Sequence, residues 1–125
     1  MAESSFKGIA GQFVTSYYQI FDADRSQLGQ FYRLDSKLSF EGDERQGAAN
    51  ILEKLMSLPF QVVQHVGTTV DAQLLDGYGL LIFVLGQLKT DDDPPHMFSQ
   101  TFVLKQFGDS LFITNEIFRL GLHHQ

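Results

Sequence analysis

The second half of the chain alternates hydrophobic and polar residues at the two-residue period of β-strands. Three long runs rich in Leu, Ile, Val, Phe and Thr fill residues 78–122, separated by the turn signals TDDDPPH and Gly108 with Asp109. An earlier alternating run covers residues 61–73, where Gly67 indicates a bulge or a sharp bend. Because runs of roughly ten residues exceed the usual strand length of about five to six, the pattern predicts a strongly bent antiparallel sheet.

The first half of the chain changes to the spacing of amphipathic helices. Apolar residues recur at this spacing over 6–21, at 28–32 and over 48–58, where Pro59 ends the third helix. A short strand is expected at 38–41. The order of elements predicts an α+β fold, with three helices in the N-terminal half packed on one side of the bent sheet. Because three short helices cannot fill the concave side, we expect a cone with an open hydrophobic cavity.

Composition excludes several classes of function. A length of 125 residues suits one domain, which we expect to span residues 1–125. The net charge of -6 disfavours nucleic acids and anionic membranes as partners and favours basic proteins. The chain has no cysteine, which rules out disulfides and thiolate chemistry. We also expect no signal peptide and no membrane-spanning segment, because neither pattern occurs in the sequence.

The predicted sheet carries more apolar surface than the helices can cover. Five of its large side chains are distributed over both faces: Phe83, Leu85, Phe102, Leu104 and Phe112. Exposed apolar patches larger than a few hundred Å² are rare on soluble monomers. The sequence therefore predicts a homodimer that is formed through the sheets.

Four segments of the sequence together resemble the nuclear transport factor 2 family. They are YYQIFDADRSQLGQFY, QGAANILEKLMSLPFQVVQH, GQLKTDDDPPHMFSQTFVLK and NEIFRL. The resemblance implies the cone fold, a homodimer and a carrier role without a cofactor. It also implies binding to the GDP form of the GTPase Ran and to phenylalanine-glycine (FxFG) repeats of nucleoporins, followed by nuclear import of Ran. The implied locations are the cytoplasm, the nucleus and the nuclear pore at the envelope.

Acidic residues fall where the cone fold brings the chain to its open end, the mouth. They are Asp91, Asp92 and Asp93 in one loop, Glu41 at a strand end, and Asp22 and Asp24 after the first helix. They form either a solvated surface that keeps the protein soluble or a docking rim for basic side chains, with an apolar pocket behind it for an aromatic anchor. The resemblance implies that Glu41, Asp91 and Asp93 contact Ran and that Asp22 assists them.

Two further positions admit both a structural and a functional interpretation. His65 is either a histidine satisfied by a neighbour or, as the resemblance implies, a residue near the Ran contact. It has no second ligand at a metal-binding spacing, so no metal is assigned. Phe6 either begins the apolar face of the first helix or, by the resemblance, binds nucleoporin phenylalanines.

Two other classes of function remain open. The same cone shape occurs in isomerases and dehydratases that bind small molecules, and Asp93, His65, Tyr17 and Tyr18 are the acid–base candidates for such an enzyme. A carboxyl group with a strongly raised pKa inside the cone would favour that alternative. The third class is an interaction domain of the same shape with different partners, for example short peptides.

Overall fold

The computed structural model of the protein describes residues 3–121, which form three helical segments and six strands. The helical segments are α1 (Glu3–Ala23), a 3-10 helix (Arg25–Phe31) and α2 (Ala48–Met56). The strands are β1 (Tyr32–Phe40), β2 (Asp43–Gln46), β3 (Val63–Leu75), β4 (Gly79–Thr90), β5 (His96–Phe107) and β6 (Ser110–Leu120). None of the helices in this part of the chain is both long enough and apolar enough to span a bilayer.

The six strands form one bent sheet in the order β2-β1-β6-β5-β4-β3. The helices and the bent, unclosed sheet confirm the predicted α+β cone. One pairing differs from the expected antiparallel pattern, because β1 runs parallel to β6. The predicted bulge at Gly67 is also present, since the register between β3 and β4 shifts between Val66 and Thr69 and Gly67 has a φ of +59°.

The segment between the first two long helices differs most from the prediction. Residues 25–31 form a 3-10 helix, whose N-cap Asp24 accepts hydrogen bonds from the backbone and hydroxyl of Ser26. Tyr32, expected in that helix, begins β1, which is longer than the predicted strand. The polar and apolar residues of 33–36 do not predict which side chains point inward, because the β1–β6 register shifts between Tyr32 and Lys37. Leu34 in this stretch is 90% exposed, whereas Ser36 is buried. The short strand β2 (DERQ) has no apolar alternation that could reveal it.

The core lies between α1 and the concave face of the sheet. One side of α1 is buried, including Phe6, Ala10, Val14, Tyr17 and Phe21. The inward residues of the sheet, among them Leu80, Ile82, Phe98, Phe102 and Leu104, are also buried. Each large side chain buried in this way contributes roughly 1.5–3 kcal/mol before the opposing entropy of ordering. The concave side of the cone is therefore closed along most of its length.

The opposite, convex face of the sheet keeps large apolar side chains in solvent. Phe83, Thr101 and Ile117 lie in one row across β4, β5 and β6, because they pair directly in the register. Phe83 is 41% exposed and Ile117 is 53% exposed, and Leu85 and Met97 are similarly exposed. Of the five residues used to predict a dimer, Phe102 and Leu104 are buried in the core, whereas Phe83 and Leu85 are on the exposed face.

Candidate functional site

The cavity of the cone opens near the C-terminal ends of α1, β1, α2, β4 and β6. Its lining consists of Phe21, Phe40, Leu55, Phe60, His65, Leu88, Gln100, Glu116 and Phe118. The enclosed space is only about 10 Å³, room for about one water molecule. Stacked rings fill much of the remainder, since the centroid of Phe118 lies 4.5 Å from that of Phe40 and 5.6 Å from that of Phe98. The predicted cavity is therefore present, but its own side chains almost fill it.

Glu41 lies at this mouth, in the turn after β1. Its φ is +52°, a left-handed conformation that is uncommon for a residue other than glycine. The carboxylate oxygen Oε1 accepts a hydrogen bond from the backbone N–H of Leu120, at 2.5 Å. Its own N–H donates to the carbonyl of Phe118. Glu41 therefore joins the end of β1 to the end of β6, and among the described residues its second carboxylate oxygen has no hydrogen-bond partner.

Asp91 has a similar position in the loop between β4 and β5. Its φ is +47°, and its Oδ1 accepts hydrogen bonds from the backbone N–H groups of Gln61, at 3.1 Å, and Val62, at 2.8 Å. The ammonium group of Lys89 donates to the carbonyl of Asp93, at 2.9 Å, and so brings a positive charge into the acidic loop. Asp92 is exposed, and within residues 3–121 neither its side chain nor that of Asp93 has a hydrogen-bond partner.

His65 and Asp22 form a pair inside the rim. His65 Nδ1 lies 2.6 Å from Asp22 Oδ1, and the backbone N–H of His65 donates to Asp22 Oδ2 at 2.9 Å. The imidazole ring also stacks on Tyr18, with centroids 4.0 Å apart and planes 10° apart. The structure therefore supports the interpretation of His65 as a histidine satisfied by a neighbour. Residues 3–121 contain no cluster of His, Cys, Asp and Glu that could hold a metal ion.

A buried carboxyl group that the sequence analysis did not single out lies deeper in the cone. Glu116 on β6 is 2% exposed. Its Oε1 accepts a hydrogen bond from Tyr32 at 2.6 Å, and its Oε2 accepts from Tyr17 at 3.0 Å and from Gln100 at 2.5 Å. Tyr18 extends the network by donating to Gln100. We call Glu116 and these four partners the Glu116 cluster.

Burial changes the acid–base properties of the Glu116 cluster. Loss of hydration raises the pKa of Glu116 to about 7, although the hydrogen bonds from Tyr32, Tyr17 and Gln100 act in the opposite direction. The pKa values of the hydroxyl groups of Tyr17, Tyr18 and Tyr32 are also raised. The larger cause is burial, and the second is the nearby charge of Glu116. Such a carboxyl group was the feature expected to favour an enzyme.

The surroundings of Glu116 do not provide a substrate site. Both of its oxygens already bind donors from the protein, and the adjacent cavity of about 10 Å³ is too small for an organic substrate. The other acid–base candidates are also separated or occupied, since Asp93 is in an exposed loop and His65 is paired with Asp22. The Glu116 cluster therefore serves as a polar connection between α1, β1, β5 and β6.

Phe6 lies away from the mouth, near the start of α1. Its side chain is 6% exposed and belongs to the hydrophobic core, as expected from the first of its two interpretations. A groove of about 430 Å³ between α1 and β3 is lined by Lys7, Gly11, Val70, Asp71, Ala72 and Gln73. A role for Phe6 in binding nucleoporin repeats stays a prediction.

Comparison with known proteins identifies the family. The sequence matches the Nuclear transport factor 2 (NTF2) domain over residues 9–120. The chain belongs to this family. It is 50% identical over 118 residues to nuclear transport factor 2 of Candida glabrata, covering 93% of this chain and 94% of that protein. The identity to nuclear transport factor 2 of Saccharomyces cerevisiae is 49% over 118 residues, with the same coverage of both chains.

Solved structures of the NTF2 fold agree with this assignment. The structure of nuclear transport factor 2 from Cryptosporidium parvum has a TM-score of 0.90 and 42% identity, covering 94% of this chain and 95% of that one. A putative scytalone dehydratase from Novosphingobium aromaticivorans has a TM-score of 0.77 at 10% identity, with 100% and 93% coverage. That second likeness shows the fold alone. The resemblance inferred from the sequence is confirmed at the level of the family.

Proposed function

We propose that the protein is a homodimeric carrier that binds GDP-bound Ran and the FxFG repeats of nucleoporins and mediates nuclear import of Ran. It would act in the cytoplasm, the nucleus and the nuclear pore at the envelope. The observation that carries the proposal is the mouth, where carboxylates surround a cavity lined by aromatic rings, in a chain about half identical to proteins named nuclear transport factor 2.

The mouth suits a partner with basic side chains around an aromatic one. Within residues 3–121, Glu41 and Asp91 each keep one carboxylate oxygen free, and Asp93 keeps both. Asp22 and His65 form a paired wall behind them. Because the enclosed cavity is almost filled, an aromatic anchor would pack at the mouth, against rings such as those of Phe40 and Phe60. Basic side chains beside that anchor would then meet carboxylates in a partly dehydrated setting, where charge pairs matter most.

The convex face of the sheet supports the homodimer. The exposed row that includes Phe83 and Ile117 lies on the opposite side of the sheet from the cavity. A second copy could therefore cover this face and leave both mouths accessible. For the nucleoporin repeats, the groove between α1 and β3 offers the side chains of Val70 and Ala72, which pack against the core cluster that contains Phe6.

Calorimetric titration with GDP-loaded Ran tests the role of the mouth. Glu41→Lys should weaken binding by about 2–5 kcal/mol, since it reverses a charge and removes the acceptor used by Leu120. Asp92→Asn is a control for the loss of one rim charge and should change affinity little, because the side chain is exposed and unpaired within the described residues. GTP-loaded Ran should bind more weakly than the GDP form. Equal, small effects of both substitutions would mean that the acidic mouth only keeps the protein soluble.

A further inference from the structure

The loop between α2 and β3 contributes the side chain of Phe60 to the wall of the cavity. This Phe60 loop (residues 57–62) follows the last turn of α2, and Pro59 prevents the helix from continuing. Phe60 is the one cavity-lining residue of the described chain that lies outside a helix or strand. The position of its ring therefore depends on whatever holds the loop, rather than on a ladder of backbone hydrogen bonds.

Arg25 holds the Phe60 loop from the side of the 3-10 helix. Its Nη2 donates to the carbonyl of Phe60 at 3.0 Å, and its guanidinium carbon lies 4.7 Å from the centroid of the Phe60 ring. The same group lies 6.0 Å from the ring of Phe21, which also lines the cavity. Hydrogen bonding to the backbone and contact with the ring together restrict both the position and the rotation of Phe60.

Asp91 holds the Phe60 loop from the opposite side. Its Oδ1 accepts from the two consecutive N–H groups of Gln61 and Val62, and its own N–H donates to the carbonyl of Val62 at 2.9 Å. Hydrogen bonds to an ionised acceptor are stronger than those between neutral groups. Three hydrogen bonds therefore connect the acidic loop to the two residues that directly follow Phe60.

We propose that Arg25 and Asp91 are positioning residues, which clamp the Phe60 loop so that Phe60 presents a fixed aromatic surface at the mouth. This inference rests on the proposed function, since the surface would receive the aromatic anchor of Ran. It gives Asp91 a different role from Asp93. Asp93 contributes to binding through charge alone, whereas Asp91 also contributes through the hydrogen bonds of its Oδ1 to the loop.

Two substitutions at each aspartate separate these roles. Asp91→Asn removes the charge but keeps an oxygen that can accept from Gln61 and Val62, whereas Asp91→Ala removes both. We expect Asp91→Ala to weaken binding of GDP-loaded Ran by about ten- to a hundredfold more than Asp91→Asn, the effect of losing two hydrogen bonds to a neutral amide oxygen. Asp93→Asn and Asp93→Ala are the controls, and their two affinities should agree within about threefold.

Nuclear magnetic resonance of the free protein provides a readout that does not depend on Ran. In Asp91→Ala the amide protons of Gln61 and Val62 should exchange faster and the Phe60 ring signals should shift, whereas Asp91→Asn should restore values near those of the wild type. Arg25→Lys should shift the Phe60 ring signals as well, because an ammonium group cannot reproduce the planar contact. Thermal denaturation of each variant verifies that the fold is retained.

The results distinguish the inference from the function on which it rests. Equal losses of affinity in Asp91→Asn and Asp91→Ala, with unchanged amide exchange, would overturn the clamp and leave Asp91 a simple charge. Failure of the wild type to bind GDP-loaded Ran would refute the proposed function. The exchange rates and the Phe60 signals would then still support or overturn the positioning of the loop by Arg25 and Asp91.

Discussion

Glu116 makes the stability of the protein depend on pH in a direction opposite to that of most carboxylates. A carboxyl group that is stabilised as an anion in the folded state loses its contribution as the pH falls. Glu116 differs because burial raises its pKa to about 7, from a usual value of 4.5. Between these two values the folded protein holds a proton that the unfolded chain has already released. The contribution of this group is therefore full below pH 4.5 and is lost as the pH rises through about 7.

The size of the effect follows from the shift in the pKa of Glu116. The folded and usual values differ by about 2.5 units, and one unit corresponds to about 1.4 kcal/mol. The free energy of unfolding should therefore lose about 2–3 kcal/mol between pH 5 and pH 8 because of this one group. That is a large fraction of the net stability of about 5–15 kcal/mol that is typical of a folded domain.

The neutral, nearly isosteric variant Glu116→Gln isolates this contribution. It cannot ionise, so its stability relative to the wild type should rise by about 2–3 kcal/mol from pH 5 to pH 8. Urea denaturation of both proteins at one fixed concentration measures this difference, and the other titrating groups cancel in the comparison. A side-chain carboxyl titration by nuclear magnetic resonance should place the wild-type transition near pH 7. Parallel pH profiles for the two proteins, or a transition below pH 5, would refute the reasoning.

Three further predictions concern the Glu116 cluster, the core and the dimer. Tyr32→Phe removes a donor to Glu116, so the pKa of Glu116 should rise further and stability should fall by about 1–3 kcal/mol, measured by carboxyl titration and urea denaturation. Phe6→Ala should lower the free energy of unfolding, measured by urea denaturation, by about 3–5 kcal/mol. Unchanged stability together with lost binding to FxFG repeats would contradict the place of Phe6 in the core. Ile117→Asp should give a monomer in equilibrium sedimentation at micromolar concentration, whereas Leu34→Asp, at a 90% exposed position of β1 outside the row of Phe83 and Ile117, should not.

The strongest periodic patterns were sufficient to predict most of the fold. The apolar side of α1 and the three long C-terminal strands are each dictated by many residues that agree. The short strand β2 was not predicted because all four of its residues are polar. The start of β1 was not predicted because its alternation breaks at Ser36 and Lys37, where the register with β6 shifts. The parallel pairing of β1 with β6 depends on which distant segments meet, and local patterns carry no information about that.

The same limit explains what the sequence revealed about the mouth. Acidic residues could be assigned to the open end of the cone, but their partners could not, because these lie far away along the chain. Glu41 and Leu120 are 79 residues apart, Asp22 and His65 are 43 apart, and Asp91 and Val62 are 29 apart. Glu116 was missed for a related reason. Polar residues occur on both faces of β6, and the register shift opposite Val103 and Leu104 determines which of them points inward.

The use of carboxylates at the mouth resolves a physical difficulty of an acidic binding surface. Several like charges around one opening repel one another, and free carboxylates would also lose conformational entropy when a partner orders them. Glu41 and Asp91 avoid part of both costs, because one oxygen of each already binds a backbone N–H group of a neighbouring element. The hydrogen bond fixes the direction of the second oxygen before a partner arrives. At Glu41, as at Asp91, removal of the charge should therefore affect binding differently from removal of the hydrogen-bond acceptor. The affinities of Glu41→Gln and Glu41→Ala for GDP-loaded Ran, compared with each other, would measure the contribution of this preorganisation.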